Sequence, residues 1–451
     1  MEDARTSIVL LADASLEEVQ ASVRAVLTHT APGSYELIVV DPEPSGSTST
    51  WLSEQEFLTL VPHQEWLSAG AALNVGVNSS NCGAVLLLSA RVTVTARYLP
   101  ILRNTLGSDP LVGAVGPATN SIAGQIEPAS YQSLAQLGEM TDRCNVPDPA
   151  RWDRRLRLSC ACLLLRREAL IAASPLDERY TLSMLLDADL SFRLLASGWG
   201  LLYSRDVFVH HRARDNESVR SEEFARQCAL FADDWGFDPT YSTMQRSEVV
   251  ALIGPHPPET PLRVLELGCA CGATLLEIKN HYANAELYGI ELNEGAASIG
   301  REFADISARD AQMPLDYPED YFDYVITADV LEHLVDPWSV VADIRSHLKD
   351  SGAVIASIPN IMHVSVMRDV VNGRFSYQDA GILDRTHLRF FTLTEIDILF
   401  AEAGYGARSY TATTVPLTEE DLRLVEALKA LSTADTSDQF RVYQYLVKVA
   451  K

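Results

Sequence analysis

Apolar and polar positions along this chain follow two alternating periods. Apolar runs of strand length occur at Ser7–Ala12, Leu37–Val40, Ala84–Leu88 and Ser159–Leu165. The second half repeats the pattern at Arg263–Leu267, Leu287–Ile290, Ser307–Arg309, Asp323–Ala328 and Ala353–Ile358. Between the runs stand stretches with helical spacing, such as Leu16, Val19, Val23, Val26 and Leu27, which put one apolar stripe on a helix. Strands alternating with helices predict an α/β fold in both halves. A last pair of strands, about Ala407–Thr411 and Phe440–Ala450, flanks a helix over Glu419–Leu431.

The pattern breaks at Gly254–Pro261, where four of eight residues are proline. Prolines there stop the helical stretch Met244–Ile253 and favour extended backbone. Gly236 and Pro239 likewise end a helix from about Ser221. These breaks predict a first domain over 1–240, a linker and leading helix over 241–261, and a second domain over 262–451. A length of 451 residues suits two domains.

Composition narrows the function classes. Acidic residues number 61 against 36 basic, a net charge of −25, which is not the surface of a nucleic-acid or anionic-membrane binder. No run approaches the ~20 apolar residues of a membrane span. Two acids precede the first short apolar run, unlike a signal peptide, so a cytoplasmic protein is expected. Seven cysteines, an odd number, argue against a disulfide framework. The pairs Cys160/Cys162 and Cys269/Cys271 have no second pair at zinc-finger spacing; they read as small buried residues, and no metal site is expected.

In the first half, Asp41 stands at the tip of the second strand before a loop crowded with Gly and Ser. Strand, helix and strand with a terminal carboxylate is a nucleotide-binding arrangement. Further on come Asn74-x-Gly76, Leu176-Asp-Glu-Arg-Tyr180, Asp187-Ala-Asp-Leu-Ser-Phe-Arg193, Ala196-Ser-Gly198 and Val207-Phe-Val-His-His211. This series, over 7–235, resembles the family 2 glycosyltransferases with the GT-A fold. The resemblance implies that Asp41 contacts the base of a nucleotide-sugar donor, that Asp187 is the general base on the acceptor hydroxyl, and that His210 or His211 lies near the diphosphate. A solvated loop acid, a helix-capping Asp and a satisfied strand histidine are the structural alternatives. The sequence departs from the family at its Asp-x-Asp, which binds a divalent cation; Ser89-Ala90-Arg91 stands there instead. A guanidinium repels such an ion, so either Arg91 holds the diphosphate directly or the site has lapsed.

In the second half, Arg263-Val-Leu-Glu-Leu-Gly-Cys-Ala-Cys-Gly-Ala273 is a strand, a Gly-rich turn and the start of a helix. Its G-x-x-x-G is not the dinucleotide fingerprint. Glu291 ends the next strand, where an acid can accept both hydroxyls of a ribose. Asp310 ends the third strand, and Asp329-Val-Leu-Glu332-His333 follows the fourth. These positions resemble class I S-adenosylmethionine (SAM)-dependent methyltransferases over 245–451, implying a Rossmann-like domain with a seven-stranded sheet. The resemblance makes Glu266 cofactor-binding and puts Gly268 and Gly272 by the methionine part of SAM, Glu291 on the ribose, Asp310 on the adenine amino group and Asp329 near the cofactor's amino end.

Beyond the fifth strand lie Ile358-Pro-Asn-Ile-Met-His363, Gly373-Arg-Phe-Ser-Tyr377 and Gly381–Thr392. They resemble methyltransferases of bacterial glycan and polysaccharide gene clusters, often fused to glycosyltransferases, and this implies an insertion over the acceptor pocket. Methylating an alcohol needs a base, and histidine is best poised for that near neutral pH. His333, His363 and His387 are the candidates; Asp384 and Arg389 could pair structurally, and Phe390 and Phe391 read as core. The expected function is methyl transfer to a sugar hydroxyl of a glycan or glycosylated small molecule, with the N-terminal domain transferring or holding that sugar. Two alternatives are a methyltransferase on a small molecule or protein with a non-catalytic binding domain, and a metal-independent glycosyltransferase with a structural methyltransferase domain. Homo-oligomerisation is left open.

Overall fold

The computed structural model describes residues 5–43, 46–61, 67–213, 222–433 and 436–451, and the chain divides into two units, Met1–Tyr241 and Ser242–Lys451. The N-terminal unit contains strands β1 (Thr6–Leu11), β2 (Tyr35–Val40), β3 (Thr59–Leu60), β4 (Ala84–Ser89), β5 (Val92–Thr93), β6 (Val112–Ala118), β7 (Trp152–Arg154), β8 (Cys162–Arg166), β9 (Gly200–Phe208) and β10 (His210–His211). β1 and β4 are buried at every position, as continuous apolar strands covered on both faces must be. The helix Leu16–His29 between β1 and β2 starts with a capping box of Ser15 and Glu18, which satisfies free N–H groups of the first turn.

Eight strands form one mixed sheet in the order β3-β2-β1-β4-β8-β6-β9-β7. β3, β2, β1 and β4 run parallel, and β8 is antiparallel to β4 and β6. The carboxyl ends of β1 and β4 therefore lie side by side, with Leu11 opposite Ser89. β10 pairs antiparallel with β5, His211 opposite Val92, and this ribbon carries His211 to the segment that follows Ser89.

The C-terminal unit contains β11 (Leu262–Leu267), β12 (Ala285–Glu291), β13 (Asp305–Ala308), β14 (Phe322–Ala328), β15 (Leu348–Pro359), β16 (Arg408–Thr413) and β17 (Gln444–Ala450). They form one seven-stranded sheet in the order β13-β12-β11-β14-β15-β17-β16. The first five are parallel, and β17 is antiparallel to both its neighbours. The strand order reverses between β11 and β14, which is where such sheets open a crevice beyond their carboxyl ends. Leu265, Leu267, Val325, Val354 and Val447 fill the core on one side of the sheet.

Three segments differ from the sequence pattern, each for a local reason. Met244–Ile253 is helical only at Ser247–Val250, because Arg246 has non-helical backbone (φ −105°, ψ 67°) and its side chain is drawn to Asp329. Ser159–Ala161 stays outside β8, since side chains capture its N–H groups: Ser159 N donates to Gln125 Oε1 (2.7 Å) and Cys160 N to Asp187 Oδ1 (2.8 Å). Residues 439–441 form a 3-10 turn ahead of β17. The expected helix start at Ser221 lies outside the described residues, which resume with a helix at Glu222. All seven cysteines are free thiols. Among the described residues no helix is long and apolar enough to cross a membrane.

Candidate functional site

The crevice of the C-terminal unit is built on the turn after β11. Gly268 (φ +65°) and Gly272 (φ +77°) hold left-handed backbone, which glycine adopts without strain. A Cβ on Gly268 would stand 2.7 Å from Val330 Cγ2, so the loop after β14 packs directly on this turn. Ala270, also left-handed at φ +47°, is held by its N–H donating to Glu291 Oε2 (2.8 Å). Asn293 N donates to the other Glu291 oxygen at 2.8 Å. Glu291 thus orders both the turn and its own strand end while retaining lone pairs. Asp310 is exposed and accepts from Gln312 N at 2.9 Å.

Two acids in this crevice are buried. Glu266 is 4% exposed, and its Oε2 meets no donor among the described residues. Burial pushes its carboxyl up to about 8, against the opposing pull of the Thr274 hydroxyl and Arg246. Glu332 is 1% exposed; burial and the nearby Asp329 charge push it well above the carboxylate range. Asp329 itself, left-handed at φ +54°, accepts from Arg246, Gln444 and Ser357 Oγ, the last at 2.6 Å. Arg246 also donates to Ser357 Oγ (3.0 Å) and pairs with Glu248.

Of the three candidate histidines, two meet. His333 and His387 pack edge to face, with centroids 4.7 Å apart, and with Glu332 their ligand atoms lie within 4.8 Å of one another. The insertion reaches this point because Leu388 N and Arg389 N donate to the Glu332 carbonyl at 2.8 and 3.0 Å. Burial and the neighbouring His387 hold His333 below its ordinary value. His363 stands apart from that cluster: it caps the helix Val364–Val371 and packs edge-on against Tyr443.

Glu332, His333 and His387 are thus brought together from two separate segments of the chain. The expected Asp384–Arg389 pair is a correction. Asp384 is occupied by Thr386, while Arg389 turns to the Val335 and Leu388 carbonyls and stacks on Trp338. Phe391 is core and Phe390 is half-buried in a small aromatic group with Phe375 and Tyr377.

In the N-terminal unit, Asp41, Arg91, Asp187 and His211 line one cavity of about 760 Å³. Asp41 accepts from Glu43 N (3.1 Å) and Ser49 Oγ (2.9 Å). Asp187 lies inside the helix Ser183–Ala196 and accepts from Cys160 N, and burial raises its carboxyl. Arg91 reaches the Asp13 carbonyl at 3.4 Å and Glu18 at 3.8 Å. His211 Nδ1 meets Ser121 Oγ at 2.8 Å, and burial with the Arg91 charge keeps the ring below its ordinary value. His210 is turned to Tyr131 (2.6 Å) and is not part of the cavity lining.

Sequence reasoning passed over three residues. Arg246 precedes its partner Asp329 by 83 positions and had no motif around it. Asp13 lines the N-terminal cavity and accepts from Ser89 Oγ at 2.8 Å; its place just past β1 was the available signal. Arg157 lines the same cavity and acts on Asp187.

Residues 244–409 match the family model described as a methyltransferase domain. A curated relative, "Uncharacterized protein y4gI" of Sinorhizobium fredii, is 24% identical over 271 residues, which are 54% of this chain and 30% of that protein's length. The solved SAM-dependent methyltransferase from Archaeoglobus fulgidus is 16% identical, covering 49% of this chain and 99% of its own, with a TM-score of 0.35. The one from Mesorhizobium loti is 16% identical, covering 46% and 96%, with a TM-score of 0.31. The match to the methyltransferase-domain model lies wholly within the C-terminal unit.

Proposed function

We propose that this protein transfers the methyl group of SAM to a hydroxyl of a sugar, and that its N-terminal unit, a GT-A-like fold, holds or transfers that sugar as a nucleotide conjugate. The residues of the C-terminal crevice fit SAM. The buried, unpartnered Oε2 of Glu266 suits an ammonium group, Glu291 at the tip of β12 suits vicinal ribose hydroxyls, and Gly268 and Gly272 let a ligand approach the backbone. Arg246, already beside the crevice acids, can pair the carboxylate of the methionine part. Bound SAM supplies a sulfonium methyl that needs no further activation.

The chain's own work is then to orient the acceptor and to deal with its proton, since a sugar hydroxyl holds that proton far above neutral pH. The observation that carries this reading is the packing of Val330 on Gly268. It sets the loop bearing Asp329, Glu332 and His333 against the cofactor turn, and the neighbouring Leu388 and Arg389 N–H groups tie His387 to that loop at the Glu332 carbonyl. The Glu332–His333–His387 cluster thereby becomes the group that activates the hydroxyl, in preference to His363. For the N-terminal unit, the shared cavity of Asp41, Arg91, Asp187 and His211 supports a donor site in which Arg91 faces the diphosphate.

The test is incubation of the full chain with methyl-labelled SAM and a panel of nucleotide sugars and glycans. Label on a sugar oxygen is the expected result. Label that appears only on a non-carbohydrate small molecule or on protein overturns the sugar assignment.

A further inference from the structure

Most buried polar groups of the C-terminal unit have partners; Glu332 does not. Neither of its carboxylate oxygens meets a donor from another described residue. A lone carboxylate kept from water is unfavourable unless it is neutralised or paired. Beside it stand two imidazoles. His333 Nδ1 lies 3.2 Å from the Thr386 carbonyl, and His387 Nδ1 lies 2.9 Å from the Ile382 carbonyl. A carbonyl only accepts, so a neutral ring at either position carries its hydrogen on Nδ1 and keeps its lone pair on Nε2.

We propose that Glu332, His333 and His387 bind a divalent transition-metal ion. One ligand atom from each lies within 4.8 Å of the others. An ion at roughly 2.0–2.2 Å from each ligand needs them about 3–4.3 Å apart, so the side chains close by a few tenths of an ångström. The backbone carbonyls on Nδ1 are the outer partners that fix the tautomer and ring orientation of metal-bound histidines. Two imidazole nitrogens and one carboxylate suit a first-row transition metal; Ca²⁺ asks for six to eight oxygens, and Mg²⁺ favours carboxylates, phosphates and water.

Three protein ligands leave coordination positions open. This inference rests on the methyl-transfer reading above and adds a substrate class: the open positions suit two oxygens of a vicinal diol. A metal-bound hydroxyl loses its proton more easily. In the step, the bond from the acceptor oxygen to the methyl carbon forms and the sulfur–methyl bond breaks. The sulfur leaves as a neutral thioether, and the hydroxyl proton passes to solvent water. His333 and His387 then act as ligands, and the ion performs the work otherwise asked of a free base.

The experiment titrates EDTA-stripped full-length protein with Co²⁺, followed by visible absorption and equilibrium dialysis, with SAM affinity measured calorimetrically in parallel. One tight equivalent of Co²⁺ is expected, weakened at least roughly tenfold in Glu332→Gln and in His387→Ala and unchanged in His281→Ala, whose ring is exposed on another helix. Glu332→Gln keeps the side-chain volume and removes the carboxylate ligand; thermal melting verifies its fold, and His387→Ala decides if it fails. Absence of stoichiometric Co²⁺ binding, or wild-type affinity in both variants, overturns the site. SAM binding without Co²⁺ binding overturns the metal site and leaves methyl transfer standing. Co²⁺ binding without SAM binding keeps the site and overturns the methyl-transfer reading.

Discussion

The two units of this chain treat their buried acids in opposite ways. In the N-terminal cavity, the buried Asp41 and Asp187 accept hydrogen bonds from neighbouring protein donors, as does the half-buried Asp13. In the C-terminal crevice, Glu266 keeps one bare oxygen and Glu332 two. Satisfied acids shape a container, and a ligand there gains mainly from fit and from the free faces of groups such as Arg91. Unsatisfied acids leave a site electrostatically incomplete, and a cationic ligand relieves what folding left uncompensated. SAM, with its ammonium and sulfonium charges, and a divalent metal are both such ligands.

The largest effect that this contrast predicts is at His387. His387→Ala should lower methyl-transfer turnover by ~10²–10⁴ while leaving SAM affinity intact. Steady-state rates with labelled SAM, beside a SAM titration, read both quantities; normal turnover would dissolve the cluster's role.

The next effect lies in the N-terminal unit. With Ser89-Ala90-Arg91 in place of the two carboxylates, nucleotide-sugar binding should persist in EDTA and fall about 10- to 150-fold in Arg91→Ala, the loss of a charge-assisted bond. Binding abolished by EDTA would mean that other residues hold a metal there, with Asp187 and His211 first to test.

The smallest effect is a pH dependence of stability. Glu266 has a folded value of about 8, above its ordinary 4.5, so the folded state holds this proton more tightly than the unfolded chain. Its contribution is fully present below about 4.5 and is lost as pH rises towards about 8. Ligand-free protein should therefore melt lower at pH 8 than at pH 5.5, and Glu266→Gln should flatten that slope and raise the melting temperature by a few degrees at pH 8. A wild-type melting temperature that rises over this range without such flattening would assign Glu266 a partner in solution.

Much of the scaffold could be read from local pattern. Apolar runs marked β1, β2, β11, β12 and β14, because parallel strands buried on both faces admit few polar residues. The turn at Gly268–Gly272 was readable for a similar reason: its left-handed positions favour glycine. What could not be read was long-range pairing. Arg246 meets Asp329, and Glu332 meets His387, through loops whose contacts follow from tertiary packing and carry no periodicity. The tautomers of His333 and His387 depend on single carbonyls at Thr386 and Ile382, which no spacing encodes. His363 looked equivalent to them in sequence, and only its role at a helix start separates it.

The central claim is that the turn after β11, pinned by Glu291, holds SAM. Calorimetric titration of the full-length protein with SAM should show one site, and Glu291→Ala should weaken it by about 10- to 150-fold, as expected for losing a charge-assisted bond worth ~1.5–3 kcal/mol. A wild-type protein that binds no SAM, or a Glu291→Ala variant with undiminished affinity, would contradict the account.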